Sequence, residues 1–294
     1  MISVVIPIHN EEKNIRPLYK ELKQVLEGLG EDYEIIYVND GSTDRSGEVL
    51  ATLKAEDPCV RVLEMDRNRG EAAALTAGFW HARGKIVVSL DGDGQNDPKY
   101  IPQLLQKLSE GYLVVSGWRR KRKEPLFRRV LPSLIANRLI GMVTGVKVRD
   151  NGCSLKAYRA EVVRRVQLPH GFHRFIPAVF GVQDNEVAEI PVVDRPRKFG
   201  RSHYGLKRTF EVLRELFTMP LLKYSKSSEK ILIVFTGLLF AGTNLCFFLS
   251  LRKRISFLCP GSLGAALAIS FSVLNNLRRF KKAQEQGVFK VREI

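Results

Sequence analysis

The chain has 294 residues, with 47 Lys and Arg against 31 Asp and Glu and a formal net charge of +16. That length accommodates one large domain plus an appendage, and the cationic excess calls for an anionic partner: nucleic acid, acidic lipid or a phosphorylated substrate. Cys59, Cys153, Cys246 and Cys259 are scattered without a C-x-x-C pair, which argues against a disulfide frame or a structural zinc site, and no basic stretch precedes an apolar one at the amino terminus, so no cleavable signal peptide is expected.

Residues 2–6 read as an apolar strand closed by Pro7, after which His9-Asn10-Glu11-Glu12 opens a helix running to about Gly28 or Gly30. Strand-like 34–38, a helix over about 44–55, strand-like 60–65 and a helix over 71–82 follow. The apolar run 86–90 then feeds Asp91-Gly92-Asp93-Gly94-Gln95-Asn96-Asp97-Pro98. Alternation of this kind with short connections predicts a mainly parallel sheet with helices on both faces, and ligands gathering at the strands' carboxyl ends.

Polar candidates fall at those ends: Pro7, His9 and Glu11 after the first strand, Asp40 after the second, Asn68 and Gly70 after the third, and Asp91 and Asp93 after the fourth. In an extended segment Asp91 and Asp93 share a face, and Gly92 between them lets the backbone approach a ligand. Two hard oxygen donors plus the Gln95 carbonyl suit Mg²⁺ or Mn²⁺, with diphosphate oxygens and water completing an octahedron. Taken singly each group has a plainer reading. Asp and Gly make surface turns, Pro98 begins a helix that the acids could cap, Asn10 and Asp44 are ordinary helix caps, and Asp40-Gly41 is a simple turn.

Farther along, 112–116 reads as a strand, followed by the densest charge in the chain, Arg119, Arg120, Lys121, Arg122 and Lys123, then Arg128 and Arg129. The amphipathic stretch 126–143 suits a bilayer interface, with its cations on anionic headgroups. His170 and His173 lack further nearby Cys or His and make a poor metal site. A last strand pattern covers 186–193.

Four motifs occur together and in order: Val4-Val5-Ile6-Pro7-Ile8-His9-Asn10-Glu11-Glu12, Val38-Asn39-Asp40-Gly41-Ser42-Thr43-Asp44, Arg67-Asn68-Arg69-Gly70, and the Asp-x-Asp-x-Gln-x-x-Pro pattern beginning at Asp91. Over about residues 1–210 the chain resembles the family 2 glycosyltransferases, in particular their polyprenyl-phosphate branch, which includes the dolichyl-phosphate mannose synthases. The resemblance implies an α/β domain of the GT-A, Rossmann-like type with a mixed sheet. It implies that Pro7, His9, Glu11, Asp40 and Asn68 hold the nucleoside of a UDP- or GDP-linked sugar, and that Asp91, Gly92, Asp93 and Gln95 meet its diphosphate and the metal. Gly117-x-Arg119 and Arg129-x-x-x-Ser133-x-x-x-Asn137 match positions near the acceptor phosphate, so Arg119, Arg129 and Ser133 are assigned there, arginine because its fork pairs with phosphate oxygens.

Asp150, in Asp150-x-Gly152-Cys153-Ser154-Leu155-Lys156-x-Tyr158-Arg159, matches a motif beside the acceptor cleft and is assigned to positioning. A phosphate monoester, with a second pKa near ~6, is already a nucleophilic anion at neutral pH, so no base is required. Arg197, Gly200 and Ser202 match a loop that closes over the diphosphate. His203 stands where Lys is usual, and His9 where an aromatic residue is common.

Residues 211–230 are amphipathic and basic, and 231–251 and 255–274 are free of charge, each long enough for one bilayer core. They predict two transmembrane helices within 231–277 and a basic cytoplasmic tail over 278–294. Lys223, Lys226 and Lys230 on one side and Arg278, Arg279, Lys281 and Lys282 on the other outweigh Arg252-Lys253-Arg254, which places the enzyme domain on the cytoplasmic side of the plasma membrane even though the connecting loop is itself basic. Gly237 and Ala241 permit close helix contacts and self-association.

The expected activity is metal-dependent, inverting transfer of a sugar to polyprenyl phosphate, with no role for nucleic acid. Three rivals stand beside it. A processive polysaccharide synthase would carry a Gln-x-x-Arg-Trp element, and neither Trp80 nor Trp118 follows an Arg. A transferase to another lipid, such as diacylglycerol, is the nearest enzymatic alternative. A basic membrane adaptor accounts for the charge but not for the acidic stretch.

Overall fold

The computed structural model describes residues 1–120, 131–169, 171–196 and 258–294, with scattered positions from 214 to 244; at 131–136, 139 and 258–263 it describes the backbone alone. Two compact units divide the chain, Met1–His203 with Gln286–Ile294, and Tyr204–Glu285.

In the first unit, β-branched runs form β1 (Ile2–Ile8), β2 (Tyr33–Asn39), β3 (Val60–Met65) and β4 (Ile86–Ser89). β1 lies parallel between β2 and β4, with Ile8 level with Asn39 and Val5 level with Ser89. The connecting helices are α1 (Glu12–Glu27), α2 (Ser46–Glu56) and α3 (Glu71–His81), followed by α4 (Ile101–Ser109). Leu18, Leu22 and Leu26 of α1, Leu50 and Leu53 of α2, and Leu104 and Leu108 of α4 form one core with Ile2, Val4, Ile6 and Ile8.

The opposite face belongs to α3, whose run of alanines lets it lie close to the sheet. A Cβ on Gly78 would come 2.2 Å from Val5 Cγ1. Even and odd residues of β1 therefore serve opposite helical layers, as the period of a strand requires.

The sheet has eight strands in the order β7-β5-β6-β4-β1-β2-β3-β8. β5 (Val114–Arg119) and β7 (Val187–Val192) are parallel, and β6 (Lys156–Arg159) runs antiparallel between β5 and β4. Strand β5 starts and ends later than the expected 112–116, because pairing with β7 carries it through Trp118 and Arg119. Chain order reverses at β1 and β4, the switch point of an open α/β sheet, where ligands enter.

The carboxyl-terminal residues differ from the expected tail. Helix α6 (Leu258–Gln286) includes Arg278, Arg279, Lys281 and Lys282, and β8 (Val291–Glu293) then returns to pair antiparallel with β3. Arg61 joins Glu293 Oε1 and Oε2 through Nε and Nη2 at 2.7 and 2.8 Å, and Glu34 through Nη1 at 2.6 Å, which draws the short charged strand onto the edge.

In the second unit, Thr236 Oγ1 and Ser270 Oγ lie 2.5 Å apart and Asn276 donates to Thr218 Oγ1 at 3.1 Å. Val234, Leu238, Phe240 and Phe271 are exposed. Among the described residues no helix is long and apolar enough to cross a membrane; of the expected first span, 231–251, residues 231, 235, 239 and 245–251 lie outside them, as do most of 211–230.

Candidate active site

Four loops meet where the sheet reverses. At the end of β1, Asn10 adopts φ 58, the left-handed region that few residues other than glycine enter. Its Oδ1 accepts Thr43 N at 2.7 Å and Asp44 N at 3.3 Å, so it ties the β1 loop to the β2 loop and does not cap α1. Asp44 provides capping, accepting Glu12 N at 3.2 Å and Ser46 N at 3.0 Å. Asp40, expected against base and ribose, is buried, and its two oxygens accept Arg69 N at 2.7 Å and Gly70 N at 2.8 Å. It thereby shapes the turn at which Gly70, at φ 88, starts α3. Gly41 makes room for this closure, since a Cβ there would sit 2.4 Å from Asn68 N.

His9 Nδ1 lies 2.9 Å from Asp40 O, and its Nε2 lies 3.1 Å from Asn68 Nδ2. A neutral ring with its proton on Nδ1 satisfies both. The His9 ring is therefore locked between two loops, an aromatic surface beside the cleft. Glu11 is fixed through Ser46 Oγ, which accepts its N–H at 3.0 Å, and through Asn14 Nδ2 at 2.5 Å.

The acidic loop lies directly on the end of β1. A Cβ on Gly92 would come 2.4 Å from Ile8 Cδ1 and 3.0 Å from Pro7 O, so glycine is what allows this approach. Asp93, buried, accepts Gln95 N at 2.9 Å. Asn96 Oδ1 receives Asp91 N and Ser154 Oγ, each at 3.0 Å. Burial, with the charges of Glu71 and Asp93 added to it, pushes the Asp91 carboxyl up to about 8.

Among the described residues no group of three or more His, Cys, Asp or Glu could hold an ion alone. Asp91 and Asp93 offer hard carboxylate oxygens one glycine apart, a donor set that fits a cation taking its remaining oxygens from water and a diphosphate, the habit of Mg²⁺ and Mn²⁺.

On the other side of β4, Arg119 ends β5. Its Nε donates to Asp150 Oδ2 at 2.6 Å and its Nη2 to Asp150 Oδ1 at 2.9 Å, while Nη1 lies 3.5 Å from Asp194 Oδ2. Burial works against its charge, yet Asp150 holds the guanidinium above the ordinary arginine range. Asp150, expected as a positioning residue beside the acceptor cleft, has both carboxylate oxygens on this guanidinium.

The turn carrying Asp150 is pinned from below. Lys156, buried, donates to the carbonyls of Asn151 (3.3 Å) and Cys153, and burial lowers its pKa. Asn137 of α5 (Leu131–Thr144) donates to Arg149 O at 2.7 Å, joining that helix to the same turn. His173 Nε2 lies 3.5 Å from Glu71 Oε2.

Arg129, Arg197, Gly200, Ser202 and His203, together with the side chain of Ser133 and all of His170, lie outside the described residues. Sequence reasoning did not assign Asn96, Ser154, Asp194 or Arg195. Asp194 and Arg195 follow the end of β7, and a polar residue at a strand's carboxyl end is the same signal that marked the other candidates.

The sheet order, the acid pair at the switch point and the facing arginine define a GT-A-like α/β fold. The family model "Glycosyl transferase family 2" matches residues 3–167, and the chain belongs to that family. It is 42% identical over 222 residues to a dodecaprenyl-phosphate galacturonate synthase from Rhizobium johnstonii, a match covering 74% of this chain and 66% of that protein, just under two thirds of its length. The family was thus legible in the motifs. The fold is also similar to glucosyl-3-phosphoglycerate synthase from Mycobacterium tuberculosis, solved with Mn²⁺ and UDP-glucose, at a TM-score of 0.58 and 21% identity over 75% of this chain and 78% of that one. The same enzyme with Mn²⁺, UDP-glucose and phosphoglyceric acid gives a TM-score of 0.57 and 20% identity over the same shares.

Proposed function

We propose that the chain is a membrane-anchored, metal-dependent, inverting glycosyltransferase that moves a sugar from a nucleoside diphosphate, UDP in the first instance, to a polyprenyl phosphate. The observation that carries this reading is that the Asp91-Gly92-Asp93 loop, seated on the end of β1, and Arg119, held bidentately by Asp150 at the end of β5, share one edge of the sheet. The similarity to a dodecaprenyl-phosphate galacturonate synthase supports the acceptor, and the neighbouring fold solved with Mn²⁺ and UDP-glucose supports the donor and the ion.

In this reading His9, Asn68, Pro7, Glu11 and Asp40 form the nucleoside side. Asp91, Asp93 and Gln95 hold Mg²⁺ or Mn²⁺, which when bound neutralises charge gathering on the leaving diphosphate. Arg119, with Arg129 and Ser133, orients the acceptor phosphate, and Arg197 and His203 cover the donor. An acceptor oxygen forms the new bond to the anomeric carbon from the face opposite the diphosphate, whose oxygen leaves with the electron pair of the broken bond. The acceptor arrives ionised, so no side chain need take a proton. Much of the remaining rate comes from fixing the two phosphates relative to each other.

The exposed Val234, Leu238, Phe240 and Phe271 of the second unit support a bilayer-facing role for it. With the charge-free stretches 231–251 and 255–274 and the flanking cations, they support a hairpin anchored in the plasma membrane with the catalytic unit cytoplasmic.

The test uses the full chain purified in detergent, with UDP-galacturonate, UDP-glucose and GDP-mannose as donors, Mn²⁺ or Mg²⁺, and either polyprenyl phosphate or diacylglycerol as acceptor. Transfer to polyprenyl phosphate is expected, with a loss of about 10²-fold or more in Asp93→Ala and unchanged membrane insertion. Metal-dependent turnover preserved in Asp93→Ala, or transfer to diacylglycerol alone, would overturn the reading.

A further inference from the structure

Arg119 faces more carboxylate than one guanidinium needs. Asp150 already takes its Nε and Nη2 edge, and Asp194 approaches Nη1 at 3.5 Å from the exit of β7. One N–H on each terminal nitrogen remains for an outside oxygen. A second carboxylate beside an anion-binding arginine weakens its pull on phosphate, so its presence calls for a compensating role. Burial pushes the Asp194 carboxyl upward, which softens that cost.

The other oxygen of Asp194 accepts Asn96 Nδ2 at 3.3 Å. Asn96 is 3% exposed, and its own Oδ1 receives Asp91 N at 3.0 Å. A continuous path of polar contacts therefore runs from the guanidinium through Asp194 and Asn96 to the backbone of the metal-binding loop. Arg195 reinforces it: its N–H donates to Gln95 O at 2.8 Å and its Nη2 meets Asp97 Oδ1 at 2.7 Å, so the exit of β7 is stitched to the acidic loop on both sides of Asn96.

We propose that Asp194 is a positioning residue which, through Asn96, fixes the plane of the Arg119 guanidinium relative to the Asp91–Asp93 loop and so sets the approach of acceptor phosphate to donor. This inference rests on the sugar-transfer reading above. Displacements of about 1 Å between reacting groups cost on the order of 10²-fold in rate, which is the scale of effect such a bracket controls.

The experiment compares the full-length wild type with Asp194→Ala and the isosteric Asp194→Asn in detergent. It measures kcat and both KM values with UDP-sugar and polyprenyl phosphate, and amide hydrogen exchange without substrates. Asp194→Ala is expected to lower kcat by about 10-fold or more at saturation, with KM for the UDP-sugar within about threefold of wild type, a split that general destabilisation would not give. Asp194→Asn falls between, since its amide cannot accept from both Arg119 and Asn96. Exchange is expected to quicken in residues 91–97 and 117–120 together.

A kcat within about twofold of wild type in both variants overturns the proposal in an active enzyme. Unchanged exchange in both segments overturns it whether or not the wild type transfers sugar. A wild type inert toward polyprenyl phosphate instead removes the sugar-transfer reading and leaves exchange to decide the coupling.

Discussion

Asp91 sits in a field that opposes its own ionisation: its surroundings withhold water from the carboxyl, and Glu71 and Asp93 add negative charge, so its carboxyl is pushed up to about 8 in the folded chain against 3.8 when unperturbed. Between those values the folded state keeps a proton that the unfolded state has released. Stability therefore falls as pH rises from about 4 to about 8 and levels off above. The divalent cation of the proposed function would replace that proton. Metal-free protein should melt at a lower temperature at pH 8 than at pH 5.5, and Mn²⁺ should raise the melting temperature more at pH 8; Asp91→Asn should flatten both dependences. Equal stabilisation by Mn²⁺ at the two pH values would remove Asp91 from the ion's ligands. Asp91-Gly92-Asp93 taken alone reads as a surface turn, and it stood out only because three other motifs accompany it in order. The field on Asp91 was not legible, since Glu71 lies far from it along the chain and only the packing of α3 brings their charges to bear on each other.

Edge strands show how much a single element depends on distant partners. β8 holds three residues, two of them exposed, and no local pattern marks it as a strand. What holds it is Arg61, whose side chain is 10% exposed, clamped between Glu293 at 38% and Glu34 at 7%. Removing the arginine leaves Glu34 buried without its cation. Arg61→Ala is expected to cost about 3 kcal/mol, while Glu293→Ala, which removes the more exposed partner and leaves Arg61 paired with Glu34, should cost about 1 kcal/mol or less. Thermal unfolding of both variants checks this, and equal losses would show that the buried Glu34 is not the source of the energy. β6 escaped prediction for a related reason. Lys156-Ala157-Tyr158-Arg159 lacks apolar alternation, and its strand state comes from β4 and β5 on either side. The strands β1 to β4 were legible because each carries its own β-branched run and is buried wherever it packs.

At the scale of the whole molecule, the proposed function joins the excess of cations and the two charge-free stretches in one account, a catalytic unit held at an anionic lipid surface. The full chain expressed in cells should sediment with membranes and stay there through alkaline carbonate extraction; release into the supernatant would remove the proposed hairpin. The same account makes the donor soluble and the acceptor confined, so transfer should rise with the surface density of polyprenyl phosphate in vesicles at constant bulk concentration. Dependence on bulk concentration alone would mean that the lipid surface contributes nothing.

The first four strands with the helices between them, and the family, were determined by local information: periodicity, turn residues and motif spacing act over a few residues and survive without a fold. Tertiary structure alone decided which groups face each other. Asp150 was given Arg119 as the group it positions, Asp40 became the clamp on the Gly70 turn, and Asp194 joined Asn96 across nearly a hundred residues of chain. Each of these is an electrostatic or hydrogen-bonded pairing between segments remote in sequence, and no local pattern encodes a distance between two strands' ends.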